Sequence, residues 1–142
     1  MLTGVFDERG QPILKGRLIV PELNVDGRVK FRVDTGADRT SIHPRDARNL
    51  ALPFHLLRNP VPLQGIGGAP TYYWQPAYLT FTGGSETFGY RLQVAVAAPI
   101  QSNATLPSLL GQDILRHWQM LHAPARSRLE FESFHADFTL MA

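Results

Sequence analysis

The sequence predicts an all-β domain with one short C-terminal helix, and three observations carry that prediction. Gly and Pro, 12 and 11 of the 142 residues, break the chain at short intervals. The runs between them are short, and either alternate apolar with polar residues or are continuously apolar. One stretch alone, towards the C-terminus, repeats apolar residues at helical spacing.

Taken in order, "GRLIVPEL" and "GRVKFRVD" flank "NVDG", where Asp26-Gly27 is the dipeptide favoured in tight hairpin turns, so the two runs are expected to pair antiparallel. In the second run Val29, Phe31 and Val33 alternate with Arg28, Lys30 and Arg32, giving one apolar and one charged face before the strand ends at Asp34. "HPRDARNLAL" predicts a helical turn or two, with Pro44 tolerated near its start. "AYLTFTGGSETFGYRLQVAVA" predicts a hairpin folded at Gly83-Gly84. "PSLLGQDILRHWQML" passes from a buried strand into the helix, on the spacing of Ile114, Leu115, Trp118 and Leu121. "SRLEFESF" is a closing strand with Leu129 and Phe131 on one face.

The length fits one domain spanning residues 1–142, long enough to bury a core. Apolar residues at 44% and charged residues at 18% place it among globular chains rather than disordered ones. The net charge of +2 comes from scattered Lys and Arg rather than a basic stripe, so nothing calls for a nucleic-acid partner. The longest apolar run, "VAVAAPI", is too short to span a bilayer, and the first ten residues lack the pattern of a targeting signal. No membrane partner is expected, and the cytoplasm is the default compartment. With no cysteine, disulfides, thiolate catalysis and Cys-based zinc sites are excluded.

Three short segments carry the chemistry. Asp34-Thr35-Gly36, at the end of an apolar strand, is by itself a common turn. Its setting is more informative: "LQGIGGAPTYYW" and then "LLGQDIL" follow it in that order. Other motifs fall away. "GIGGAP" lacks the third glycine of a dinucleotide loop, His117 and His122 are five apart with no carboxylate pair on their face, and no G-x-S-x-G elbow occurs. Tyr72, Tyr73 and Trp74 either line a substrate groove or alternate into the core.

The three ordered segments resemble those of the retropepsin-like aspartic proteases, over most of the chain from about Leu14 to Phe131. Val33-Asp34-Thr35-Gly36-Ala37 matches the strand and catalytic turn, Gly65-Ile66-Gly67-Gly68 looks like the tip of the flap hairpin, and Leu109-Leu110-Gly111 matches the apolar-apolar-Gly segment before the helix. The resemblance implies a retropepsin-like acid protease barrel and an aspartic endopeptidase that needs no metal and no cofactor. Asp34, Thr35 and Gly36 are then the catalytic residues, and Ala37, Asp38, Gly65, Ile66, Gly67 and Gly68 the substrate-binding ones. "GIGG" otherwise reads as an ordinary loop.

Such hydrolysis takes two carboxylates sharing one proton, one to accept a proton from water and one to give a proton to the carbonyl. The sequence holds no second Asp-Thr-Gly or Asp-Ser-Gly, so a homodimer is expected to bring Asp34 of each chain to a two-fold axis, with a peptide or protein as substrate. By the resemblance, Thr35 bonds the partner chain's backbone, and Phe134, Phe138 and Leu140 of "FHADFTLMA" are available for interleaved termini; a frayed tail is the alternative. One departure stands out. The Arg that braces the acidic residue after Ala in many retroviral relatives is Gln112 here, which leaves Asp38 to bond backbone amides, pair with another arginine or face solvent. The rival reading keeps the fold without catalysis, as a dimeric peptide-binding or scaffolding module.

Overall fold

The structure is a computed structural model, and it describes residues 1–61 and 70–141. Twelve strands run in chain order: β1 (Leu2–Thr3), β2 (Val5–Phe6), β3 (Pro12–Val20), β4 (Val25–Val33), β5 (Ser41–Ile42), β6 (Asn59–Pro60), β7 (Tyr72–Gly83), β8 (Glu86–Ala97), β9 (Ser108–Leu110), β10 (Trp118–Ala123), β11 (Arg128–Ser133) and β12 (Phe138–Met141). Two short α-helices accompany them among the described residues, α1 (Pro44–Asn49) and α2 (Gln112–Leu115). Six strands close on themselves in the order β8-β5-β9-β4-β3-β7 and back to β8, forming a barrel. A second sheet, β1-β11-β10, packs beside it. No helix among the described residues is long and apolar enough to cross a membrane.

Alternation decides which side chains fill the barrel. Along β4, Val25, Val29, Phe31 and Val33 are buried, and Leu14, Leu18 and Val20 of β3 face the same core. Phe81 joins the two sheets: its ring meets that of Trp118 edge-on at 5.0 Å, and Trp118 in turn lies 5.3 Å from Phe131. The indole N–H of Trp118 donates to the Tyr90 hydroxyl at 2.7 Å, so the buried aromatic cluster leaves its polar handle satisfied.

Several local expectations are corrected. Asp26-Gly27 is not the turn of the first hairpin; both residues lie within β4, paired with Ile19 and Leu18. The chain reverses at Pro21–Leu23, where proline opens a single 3-10 turn and Asn24 closes it with a φ of 55°. Asp26 instead accepts two hydrogen bonds from Arg17 across the hairpin, each 2.7 Å. The second hairpin turns one residue later than expected, because Gly83 is still paired with Glu86 and Gly84 takes the φ of 60°.

The C-terminal helix is far shorter than its spacing predicts. Only Gln112–Leu115 are helical, and Trp118 and Leu121 belong to β10. Trp118 and Met120 alternate towards the core while Leu121 is exposed, a period of two that competes with the helical reading. The tail is not frayed: β12 pairs with β8 of its own chain, setting Phe138 over Gly89, while Phe134 and Leu140 are exposed. The brief helix at Pro44 forms as expected.

Candidate active site

β4 ends where β9 runs parallel to it, Val33 opposite Leu110, and the backbone N–H of Asp34 continues the ladder by donating to the Leu110 carbonyl at 3.0 Å. The strand thereby carries the Asp34 side chain to the rim of the barrel, where it is 28% exposed and within reach of water. Its Oδ1 accepts the Gly36 N–H at 2.9 Å, and its carbonyl accepts the Ala37 N–H at 3.2 Å. A Cβ on residue 36 would sit 3.3 Å from Oδ1, so glycine lets the turn fold tightly around the carboxylate. The Arg32 guanidinium stands 3.7 Å from Oδ2.

The start of α2 holds this turn from the side. Gln112 donates its side-chain amide to the Thr35 carbonyl at 2.9 Å and its backbone N–H to the Ala37 carbonyl at 2.8 Å. The Asp113 N–H donates to the Asp38 carbonyl at 3.2 Å. The Asp113 carboxylate accepts the backbone N–H of buried Thr40 at 3.0 Å and its hydroxyl at 2.7 Å, and the Thr40 Oγ1 accepts the Gly111 N–H at 3.2 Å. Gly111 has no room for a side chain, since a Cβ would fall 2.6 Å from the Arg39 carbonyl carbon and oxygen. Backbone atoms cannot swing aside as a side-chain end can.

Gln112 and Asp113 grip the backbone of residues 35–40, while the Asp38 side chain is exposed and makes no hydrogen bond or ion pair among the described residues. Thr35 and Gly36 are exposed at the crest of the turn, and Ala37 is half-buried behind them. Gly65, Ile66, Gly67 and Gly68, the expected flap tip, lie outside the described residues.

Sequence reasoning missed Arg32, Thr40 and Asp113. Thr40 and Asp113 bond each other across 73 positions and leave no local pattern, and Arg32, named only for the charged face of its strand, was not linked to Asp34 two residues on. It also missed buried His43, whose Nδ1–H donates to the Pro107 carbonyl at 2.6 Å while Nε2 accepts the Tyr72 hydroxyl at 2.9 Å. That pair ties the start of β7 to the turn before α1. Burial pushes the His43 pKa down, against the Pro107 carbonyl and the Asp46 charge, and burial pushes the Tyr72 hydroxyl up. Of the other two aromatics in question, Tyr73 packs on the core and Trp74 lies beneath the Arg39 guanidinium, 5.6 Å from ring centre to Cζ.

The sequence model of a protein family described as gag-polyprotein putative aspartyl protease matches residues 22–117. Among solved structures, the chain is similar to a retropepsin-like aspartic protease from Rickettsia conorii, at 18% identity over 90% of this chain and 86% of that one, with a TM-score of 0.57. At that identity the likeness speaks for the fold. No curated protein matches the chain.

Proposed function

The chain belongs to the gag-polyprotein putative aspartyl protease family, and from that premise we propose that it is an aspartic endopeptidase working as a homodimer. The observation that carries this reading is the state of Asp34: one partly exposed carboxylate, fixed by the Gly36 N–H on a turn gripped by Gln112 and Asp113. A turn held on so many sides is preorganised, which is what a reacting carboxylate needs and a surface loop does not.

A single carboxylate cannot both take and give a proton in one step. A second Asp34, from a partner chain across a two-fold axis, completes the pair. The ionised member removes a proton from water as the oxygen attacks the peptide carbonyl, and the protonated member gives its proton to the carbonyl oxygen. Collapse of the resulting diol, with a proton passed to the nitrogen, separates the two peptide products. Exposed Thr35, adjacent to the dyad, is the candidate contact between the two turns, and Ala37 and Asp38 border the substrate as it lies extended. Gly65–Gly68 are the candidate cover, supported by their sequence and the resemblance alone.

The test is cleavage of unfolded casein or a random peptide library by the purified chain, with and without pepstatin, beside the Asp34→Asn variant. Cleavage by the parent that pepstatin and the substitution both abolish is expected. Equal cleavage by the variant would sink the assignment, and a folded dimer that binds peptides without cutting them would favour the scaffolding module.

A further inference from the structure

A groove of about 370 Å³ opens on the flank of the Asp34 turn. Arg39 comes from the turn itself, Trp74 from β7, Arg91 from β8, and Asp113, Arg116 and His117 from α2 and the residues after it. Arg39, Arg91 and Arg116, all exposed, therefore line one cleft; none forms an ion pair among the described residues, and Arg116 donates its Nε–H to the Gln112 carbonyl at 3.0 Å. Arg17 and Arg128, on the outer sheet faces, are by contrast paired with Asp26 and Glu130. The Asp113 carboxylate, which also lines the groove, bonds Thr40 and forms no ion pair with these arginines, and the three cations outnumber it. Like charges gathered in a concave site repel one another, and an anion entering it is attracted by all three.

Resting on the proposed function, and naming its substrate class, we propose that this groove receives an acidic side chain of the bound peptide, away from the scissile bond, so that the enzyme prefers Asp or Glu there. Continuity with the site argues for a peptide. Two of the segments that line the groove, at Arg39 and at the start of α2, also fix the catalytic turn through the Ala37, Asp38 and Thr40 contacts. An extended peptide leaving the dyad along this flank meets Arg39 first, and its carboxylates find planar donor forks suited to bidentate pairing. Trp74 adds a flat apolar floor, already under Arg39. In a two-fold dimer the groove occurs twice, so acidic residues are favoured on both sides of the cut. A nucleic-acid strand fits less well, because the chain's Lys and Arg are scattered along the sequence rather than gathered into a run.

The test takes a library-derived peptide substrate in two forms, Glu or Gln at the outer positions. At low salt kcat/KM is expected to be about tenfold higher for the Glu form, mainly through KM, with the preference fading as salt screens the charges. In the Arg39→Gln/Arg91→Gln variant the Glu-to-Gln ratio falls towards one, and Arg91→Glu moves the preference towards Lys. A ratio near one in the parent, or an unchanged ratio in both variants, overturns the proposal. A second measurement does not depend on hydrolysis: anisotropy of a labelled Glu-rich peptide with the Asp34→Asn chain, with and without Arg91→Glu. Peptide binding that requires Arg91 supports the groove even if no peptide is ever cut, which would defeat only the protease reading. Absence of binding, or displacement of the peptide by an oligonucleotide of equal charge that binds more tightly, defeats the groove.

Discussion

Arg32 and Asp34, two residues apart on one line of the chain, bring a guanidinium to 3.7 Å from the carboxylate on which the proposed chemistry depends. The arginine belongs to the charged face of β4, opposite the face that buries Phe31 and Val33, so the alternation that builds the core also delivers this cation to the rim. Both side chains are partly exposed, 37% and 28%, and solvent weakens the attraction.

Arg32→Gln is therefore expected to lower kcat modestly, by roughly 1.5- to 5-fold, the worth of an exposed ion pair, while sedimentation shows the parent's association state. A rate equal to the parent's at low salt would mean that the pair contributes nothing to holding Asp34.

Specific activity should fall on dilution, following mass action, as dimers that share the Asp34 pair separate into chains with one carboxylate each. Co-expression of differently tagged parent and Asp34→Asn chains allows the mixed dimer to be isolated. Half or more of the parent's activity in that mixed dimer would end the shared-pair mechanism.

Removing the grip on the turn should cost stability as well as rate. Asp113→Ala strips two acceptors from buried Thr40, an expected loss of roughly 1.5–3 kcal/mol for hydrogen bonds to a charged group. Gly111→Ala forces a Cβ against the Arg39 backbone and is expected to cost about 1–3 kcal/mol. Urea unfolding reads both; midpoints equal to the parent's would show that the turn is held some other way.

Because burial holds the folded-state pKa of His43 below its ordinary value of 6.5, the unfolded chain binds this proton more readily. The stability due to neutral His43 is full above pH 6.5 and is lost as pH falls through the folded value. Protonation also removes the acceptor for the Tyr72 hydroxyl. His43→Gln should flatten the stability curve between neutrality and mild acid, as read by thermal melts across pH. An equally steep curve in the variant would place the titration elsewhere.

The sequence made the strands and the turn at Asp34 legible because those depend on near neighbours. Val29, Phe31 and Val33 mark a strand by alternation alone, and the order of Asp34-Thr35-Gly36 and Leu109-Leu110-Gly111 is preserved in the way β4 and β9 meet. Two errors came from patterns that serve two structures equally well. Trp118 stands four residues from Ile114, as in a helix, and two from Met120, as in a strand; pairing with β11 decided for the strand. Asp26-Gly27 has the chemistry of a turn, but Pro21 and Asn24 made the turn first. The roles of Gln112, Asp113 and Thr40 had no local signature, since each is defined by a bond between neighbours that lie 73 or 77 positions apart in the chain.

The bond between Thr40 and Asp113 also orders events during synthesis. The Asp34 turn is translated first, and its side support and the parallel neighbour of β4 arrive some 73 residues later, about 4 to 15 seconds at ordinary elongation rates. Until Ser108–Asp113 have left the ribosome, a nascent chain carries Asp34 on an unsupported loop. Maturation of the turn is thus coupled to the synthesis of Ser108–Asp113, and a growing chain cannot hold a finished Asp34 turn before that segment has folded against it.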